Sequence, residues 1–329
     1  WPTSRNFTSH GANRNALRVT LGGNCPYRDG MREKEIRLAL VCYGGVSLAV
    51  YMHGITKELW RVLRASRNFH DGGAPASGSQ GVYRQLLHDV EAKTGIRLRV
   101  LTDILAGSSA GGINAVFLSQ AIVHGQSLEP LTDLWLQNAD VDALLDPAAR
   151  PVGRFTKAWA APLAWAALKQ RGTLERTVAE GAREEMADKL SRFVRARWFE
   201  PPFGGTQLSA LLLDALEAME RGQTGAVLLP EGQPLDLFIT MTDFHGHPRE
   251  ISLNSPPRVT ELEHRINAAF STSDTGYAGL GDLAELVFAA RTTSSFPGAF
   301  PPFHVGELDA MLAQRGRAWP SRDAFLRRI

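Results

Sequence analysis

The sequence predicts an α/β fold in which a mainly parallel sheet is covered by helices. Residues 35–43 form an alternating, largely apolar segment that is typical of a buried strand, and residues 98–106 form a second one. A glycine-rich turn and a helical pattern follow each of these segments directly, and residues 81–95 add a helical pattern between them. This order of strands and helices requires crossover connections, which are typical of parallel sheets.

The first predicted strand is followed by a glycine turn and an amphipathic helix. Residues 44–45 are Gly-Gly and come directly after the apolar segment 35–43. From residue 46 to about residue 66, the apolar positions recur with a period of about 3.6, which predicts a helix with one buried face. Residues 67–80 are polar and rich in Gly, Ser and Pro, so we expect a surface loop there.

The second predicted strand ends in a turn that could carry a serine nucleophile. Gly107, Ser109 and Gly111 form a G-x-S-x-G pattern between that strand and a helical segment that stops at Gly125. Glycines at the two flanking positions avoid steric collisions as the chain doubles back. The serine would lie at the positive end of the following helix, where a developing oxyanion is stabilised. We therefore predict that Ser109 is a catalytic nucleophile, and a tight packing turn is the structural alternative.

The glycine turn after the first strand is the best candidate for an oxyanion hole. Gly44, Gly45 and Val46 supply consecutive backbone amides between a strand and a helix, an arrangement that can point several N–H groups at an anion. If the two predicted strands are neighbours in the sheet, both turns emerge at the same carboxyl edge. The amides would then meet Ser109.

The base that would activate the serine is not evident from the spacing of the sequence. No histidine has a spacing that marks a triad, although His245 and His247 come directly after a predicted strand that ends at Asp243. We interpret these histidines as surface groups and Asp103 as a polar strand position. A Ser-Asp-His triad that depends on a histidine such as His245 remains an alternative.

The rest of the chain is expected to complete one catalytic domain of residues 35–329, preceded by a polar arm of residues 1–34. The segment from about residue 126 to residue 222 has a largely helical pattern, which predicts a large helical insertion. Within it, residues 155–168 place Trp and Leu among alanines, which indicates either a core helix or a lid at a membrane interface. Residues 235–243 return to a strand pattern, and the C-terminal residues are basic and helical.

Composition limits the classes of function. The chain has 329 residues, 44 % of them hydrophobic and 21 % charged, and a formal net charge of +2. These values are those of a globular protein, and the charge is too small to indicate nucleic acid binding. Cys25 and Cys42 have neither disulfide nor metal-ligand spacing. No apolar run reaches the roughly 18 residues that a membrane span needs, so we expect a cytoplasmic protein. Peripheral attachment to the inner membrane surface is compatible with this expectation.

Three features together resemble bacterial patatin-like proteins, the acyl hydrolases related to the plant storage lipase patatin. They are the strand–Gly-Gly–helix unit, the GSSAGG turn at residues 107–112 and the run RTTSSFPGAFPPF at residues 291–303. The likeness covers residues 35–125 and 235–303. The segment between them resembles the family only in being largely helical.

This resemblance implies a three-layer α/β/α fold and a Ser-Asp dyad without a histidine. It implies hydrolysis of lipid esters, in particular those of phospholipids, with no metal and no other cofactor. By the same resemblance, Ser109 is the nucleophile, and Gly44, Gly45 and the amide of Val46 form the oxyanion hole.

The sequence differs from the family pattern at two places. The glycine loop of the family usually contains a basic residue where this chain has Ser47. No Asp-Gly-Gly or Asp-Gly-Ala motif follows residue 303, because Asp309 and Asp323 lie in helical patterns without glycines. The one literal Asp-Gly-Gly starts at Asp71, before the serine, in the predicted surface loop. We therefore expect the aspartate of the dyad beyond residue 329, and a domain that is incomplete at that end.

The favoured hypothesis is a serine acyl hydrolase that acts on a lipid or membrane-surface substrate and does not bind nucleic acid. The alternative is a catalytically inactive protein of the same fold that serves as a lipid-binding or interaction module. The missing basic residue and the missing acid motivate this alternative.

Overall fold

A computed structural model describes residues 18–22, 32–45, 48–73, 77–138, 204–222, 224–273, 280–297 and 300–329. Five strands form a single sheet in the order β1-β2-β3-β4-β5. The strands are β1 Arg18–Gly22, β2 Arg32–Cys42, β3 Ile96–Gly107, β4 Asp236–Ser252 and β5 Arg258–Ser271. The described helices are α1 Ala49–Asp71, α2 Gly78–Thr94, α3 Ala110–His124, α4 Glu129–Asn138, α5 Gly205–Arg221, α6 Leu283–Thr292, α7 Val305–Gln314 and α8 Arg322–Arg328.

The central strands of the sheet are parallel. β2 pairs with β3 and β3 pairs with β4 in parallel, while β1 and β5 pair with their neighbours in antiparallel fashion. The crossover between β2 and β3 is the helical segment that the sequence predicts, now seen as α1 and α2. The predicted mixed α/β fold with a mainly parallel sheet is confirmed.

The two strands that precede the predicted catalytic turns end side by side. Cys42, the last residue of β2, is aligned with Gly107, the last residue of β3. Both turns therefore leave the sheet at the same carboxyl edge, as the sequence predicts.

One face of the sheet is buried under helices. Leu105 of β3 and Leu237 and Ile239 of β4 are fully buried in a core that they share with α3 and α6. α3 is apolar on all sides and buried from Ala110 to Ile122, as expected of a helix enclosed between a sheet and further helices. This packing fixes the position of the N-terminus of α3, and with it the turn that carries Ser109.

Helix α1 also protects an otherwise open strand edge. β4 pairs with β3 only from Ile104 onward, so the first half of β3 has no neighbour on that side among the described strands. The Val100 amide donates to Ser66 Oγ at 2.8 Å, and His70 Nε2 lies 3.0 Å from Leu98 O. These bonds from α1 satisfy backbone groups that could otherwise pair with another chain.

Several elements differ from the sequence predictions. The strand predicted for residues 235–243 continues to Ser252, with an irregular register between Thr242 and His247, and it pairs with β5, which was not predicted. Helix α1 runs to Asp71, which removes part of the predicted surface loop. β1 lies within the predicted polar arm and belongs to the sheet. In the predicted insertion, only α4, α5 and the residues next to them are described, and the Trp-containing segment 155–168 lies outside the described residues.

The segment after α6 is fixed by a buried arginine. Arg291 has no exposed surface, and burial lowers the pKa of its guanidinium. Its nitrogens donate to Gly205 O at 3.3 Å, Ser295 Oγ at 2.8 Å and Pro301 O at 3.1 Å. These bonds tie Ser295 and Pro301 to Gly205 at the start of α5 through the guanidinium of Arg291.

Candidate active site

Ser109 occupies the strained corner of a strand-to-helix turn. Its backbone angles are φ 51° and ψ −131°, and it is the only non-glycine residue with positive φ among those that the structure describes. Such a conformation costs about 1–3 kcal/mol and persists where the surrounding structure enforces it. The serine precedes Ala110, the first residue of α3, so its half-buried side chain lies at the positive end of that helix.

Close packing of α3 on the sheet explains the glycines of the turn. A Cβ at Gly111 would collide with the Cys42 carbonyl oxygen, and one at Gly107 would lie 2.7 Å from both Gly111 O and Gly112 Cα. Because no side chain separates these backbones, the first turn of α3 lies directly against the ends of β2 and β3. Ser109 is thereby held at the sheet edge.

The glycine loop is in contact with this turn. The Gly44 amide donates to Ser108 Oγ at 3.3 Å, and the Ser108 amide donates to Cys42 O at 3.1 Å. A Cβ at Gly44 would collide with Ser108 O and with Ser109 Cβ. The structure therefore brings the first predicted oxyanion residue against the predicted nucleophile, with Gly45 next to it. Val46 lies outside the described residues.

An asparagine of α3 fixes the far end of the same loop. Asn114 is 1 % exposed, and its Nδ2 donates to Ala49 O at 3.2 Å and to Ala110 O at 3.0 Å. Ala49 is the first residue of α1, so this side chain connects the helix that follows the glycine loop to the helix that follows Ser109. The two turns are thus held together by both backbone and side-chain contacts.

Thr293 is a site residue that the sequence reasoning missed. The Ser109 amide donates to Thr293 Oγ1 at 2.8 Å, and the same hydroxyl donates to Thr240 O at 2.6 Å. The hydroxyl therefore links the turn to β4 and satisfies the amide of the strained serine. Thr293 lies in the run RTTSSFPGAFPPF, and this position was the one indication of its role in the sequence. The family resemblance was based on the run as a whole and assigned no role to Thr293.

We expect the Thr293→Val variant, which is nearly isosteric but lacks the hydroxyl, to lower kcat/KM for ester hydrolysis about tenfold, the effect of roughly 1.4 kcal/mol. The loss should appear mainly in kcat, because the Ser109 amide loses the bond that orients the turn. Thr293→Ser should retain most of the activity. Ser294→Ala is the matched control, since the Ser294 hydroxyl donates to Ala290 O of the preceding helix and to no other group among the residues that the structure describes. Equal losses in Thr293→Val and Ser294→Ala would contradict the positioning role.

A cavity of about 660 Å³ opens beside Ser109, within the range of about 300–1,000 Å³ that small-molecule sites have. It extends from the turn along the hairpin of β4 and β5. Its lining residues are Ser108, Ser109, Thr240, Met241, Thr242, Arg249, Glu263, Arg265, Ile266, Asn267, Thr292, Thr293 and Ser295. A substrate ester at Ser109 would therefore have a polar wall on one side.

No described carboxylate is placed as a base for Ser109. None of the hydrogen bonds among the described residues involves the Ser109 hydroxyl. Glu263 is the one carboxylate among the lining residues, and it is bound by Arg265 and Arg249. Hydrogen bonds from Arg265 hold the pKa of Glu263 at about 2, so this carboxylate is a weak proton acceptor.

The other candidate bases are occupied elsewhere. Asp103 accepts from Gln233 at 3.0 Å and lies 3.4 Å from Arg37 Nη1, on β3. Asp243 accepts from the His245 amide and lies 3.7 Å from His247, in the irregular part of the hairpin outside the cavity lining. The other aspartates that the sequence analysis considered are each paired with an arginine: Asp71 with Arg67, and both Asp309 and Asp323 with Arg322.

The described residues contain neither a group of three or more His, Cys, Asp or Glu side chains that could hold a metal ion, nor a helix long and apolar enough to cross a membrane. Cys42 lies beside the glycine loop, where burial raises the pKa of its thiol to about 11. This thiol is therefore protonated at neutral pH and is not a competing nucleophile.

Comparison with known proteins connects this geometry to a family. A family model described as patatin-like phospholipase matches residues 40–312. The chain is also similar to the uncharacterized membrane protein Rv3479 of Mycobacterium tuberculosis, with 26 % identity over 281 residues. The match covers 82 % of this chain and 21 % of that relative, so the chain spans about one fifth of the relative's length. No solved structure matches the chain.

Proposed function

Because the chain belongs to the patatin-like phospholipase family, we propose that it is a serine acyl hydrolase that cleaves ester bonds of lipids, with Ser109 as the nucleophile. The observation that carries the proposal is the contact between the strained Ser109 turn and the Gly44 loop at the N-terminus of α3. A strained turn that presents a serine, next to backbone amides that can hold an oxyanion, is the arrangement that acyl transfer requires.

In the proposed mechanism, Ser109 Oγ attacks the ester carbonyl carbon and gives its proton to an aspartate. The carbonyl oxygen becomes an oxyanion, which the amides of Gly44 and Gly45 stabilise together with the dipole of α3. The intermediate collapses, and the alcohol leaves with the proton from the aspartate. Water then attacks the acyl-serine by the same steps and releases the fatty acid.

The activating aspartate of this dyad is proposed to lie outside the described residues. This proposal is supported by Asp71, Asp309 and Asp323, each of which is paired with an arginine. The Gly44 amide now donates to Ser108 Oγ at a long 3.3 Å. A substrate oxyanion would accept a shorter, charge-assisted bond from the same amide.

We further propose that the protein acts at a membrane surface, where lipid esters are found. The relative in Mycobacterium tuberculosis is named a membrane protein. Beside the glycine loop, Tyr43 and Tyr51 are 63 % and 66 % exposed, and amphipathic rings of this kind favour membrane interfaces.

A lipid-binding module without hydrolytic activity is the second candidate. It is favoured by one observation, the lack of any described hydrogen-bond partner for the Ser109 hydroxyl. In that case the turn that carries Ser109 would serve only to pack α3 against the sheet.

A fluorophosphonate probe with peptide mapping separates the two candidates, because it forms a covalent bond only with an activated serine. We expect one adduct on Ser109, distinguished by fragmentation from the adjacent Ser108, and none in Ser109→Ala. Folded wild-type protein that takes no label would contradict the hydrolase proposal and favour the binding module.

A further inference from the structure

Ser108 connects the end of β3 to the turn that carries the nucleophile. Its amide donates to Cys42 O at 3.1 Å, one position beyond the aligned pair of Cys42 and Gly107. This bond holds the backbone of Ser108 on β2, whereas its side chain can still change between staggered rotamers. Ser108 and Ser109 both line the cavity of the site. Ser108 therefore borders the space in which Ser109 would attack an ester.

The hydroxyl of Ser108 occupies a donor that the proposed mechanism needs. The Gly44 amide donates to Ser108 Oγ at 3.3 Å, and this is the one hydrogen bond of that hydroxyl among the residues that the structure describes. A backbone amide carries a single hydrogen, so it serves one acceptor well at a time. While Ser108 accepts this hydrogen, the Gly44 amide is not available to an oxyanion.

The glycine loop is held at the turn by contacts other than this bond. A Cβ at Gly44 would collide with Ser108 O and Ser109 Cβ, which shows how closely the loop packs on the turn. At the far end of the loop, Asn114 Nδ2 donates to Ala49 O at 3.2 Å. The Gly44 amide should therefore stay beside Ser109 when the Ser108 hydroxyl is removed.

The two acceptors that compete for the Gly44 amide differ in charge. The bond to Ser108 is long and its acceptor is neutral, whereas an oxyanion accepts a charge-assisted bond that is roughly twice as strong. The carbonyl oxygen of an intact ester is also neutral, and it does not yet occupy the position of the tetrahedral oxyanion. The amide therefore stays with Ser108 in the substrate complex and changes its acceptor as charge develops. Breaking the bond to Ser108 adds to the barrier of the reaction.

We propose that the Ser108 hydroxyl is an internal inhibitor of the oxyanion hole, which gives up the Gly44 amide only to the charge of the transition state. This inference rests on the proposed hydrolase function and adds a regulatory contact to the same site. In the absence of substrate, the hydroxyl satisfies a half-buried amide and stabilises the fold. In the reaction, the same bond lowers the rate. Stability and activity are therefore opposed at this position.

The test is the Ser108→Ala variant, measured with a soluble short-chain ester. We expect kcat to rise about fivefold, the effect of roughly one neutral hydrogen bond, with little change in KM. The rate at which a fluorophosphonate labels Ser109 should rise by a similar factor, because the phosphoryl oxygen of the probe takes the position of the oxyanion. The midpoint of urea unfolding should fall, because the Gly44 amide loses its acceptor.

Two further variants show whether the hydroxyl itself is responsible. Ser108→Thr keeps a hydroxyl on the same Cβ, so its kcat should lie closer to that of the wild type than to that of Ser108→Ala. Ser294→Ala is the matched control, because it removes a serine hydroxyl that donates to Ala290 O and does not contact the glycine loop in the described structure. It should leave kcat and the labelling rate unchanged.

The direction of the change in kcat decides the inference. A hydroxyl that only held the loop in place would, on removal, lower both kcat and the urea midpoint. A kcat of Ser108→Ala at or below the wild-type value would therefore overturn the inhibitory contact, while labelling of Ser109 keeps the hydrolase assignment. Folded wild-type protein that takes no label would remove the hydrolase assignment, and the inhibitory role with it.

Discussion

Ser109→Ala is expected to reduce ester hydrolysis by at least about a thousandfold, to the rate without enzyme. The substitution removes the hydroxyl that we propose as the nucleophile, and the neighbouring Ser108 hydroxyl cannot readily replace it because it is already bonded to the Gly44 amide. The measurement is hydrolysis of a short-chain ester by freshly purified protein, with the fluorophosphonate adduct as an independent readout. Turnover at the wild-type rate would rule out Ser109 as the nucleophile.

The same position provides a test of the strained turn that does not depend on activity. Alanine and serine both carry a Cβ, so Ser109→Ala should leave the free energy of unfolding nearly unchanged. Glycine adopts positive φ without steric penalty. Ser109→Gly should therefore be more stable than Ser109→Ala by about 1 kcal/mol. This gain is smaller than the full strain energy, because glycine also has greater conformational freedom in the unfolded chain, which lowers the free energy of unfolding. Urea unfolding of the two variants measures the difference, and a less stable glycine variant would contradict the strain.

The parts of the fold that could be predicted from the sequence are those encoded locally. β2 and β3 are short apolar runs, and their glycine turns follow directly, so the meeting of Gly44 and Ser109 at one sheet edge could be expected from the order of elements alone. The β5 strand was missed because one of its faces is exposed. Its alternating charged residues, such as Glu261, Glu263 and Arg265, conceal the apolar positions Ala268 and Phe270 that face the core.

The contacts that complete the site join residues that are far apart in the chain. The bond from the Ser109 amide to Thr293 spans 184 positions, and no spacing rule predicts which of several hydroxyls after α6 will reach it. The pairing of Glu263 with Arg249 depends on the irregular register between Thr242 and His247, which shifts the alignment of the strands. Distances of this kind are set by tertiary packing, and local patterns do not encode them.

The site unites a tightly constrained nucleophile turn with a wall that is open and charged. On the turn side, Gly111 and Gly107 leave no room for side chains, so the position of Ser109 is fixed by backbone packing. On the hairpin side, the Arg249 and Arg265 side chains are 60 % and 85 % exposed, so this wall is open to solvent. A division of this kind predicts that substitutions at the turn change kcat, whereas substitutions on the hairpin change the ranking of substrates.

Gly44→Ala is the second substitution for which we expect a large effect, a loss of about a hundredfold or more in kcat. A methyl group at this position would collide with Ser108 O and Ser109 Cβ. The loop would have to move away from the turn, which would remove an oxyanion donor, and removal of one such donor costs roughly 10²–10³ in kcat. The φ angle of Gly44 is not positive, so alanine introduces no backbone strain there, and the effect arises from the collision alone.

Gly54→Ala is the matched control for this experiment. Gly54 lies in α1, ten positions later, and a Cβ there would meet nothing within 4 Å. Alanine should therefore raise the free energy of unfolding by about 0.5–1 kcal/mol through its helix propensity and leave hydrolysis unchanged. If Gly44→Ala keeps the kcat of Gly54→Ala, the Gly44 amide does not hold the oxyanion. Gly44 would then be needed only because a side chain at this position does not fit between the loop and the turn that carries Ser109.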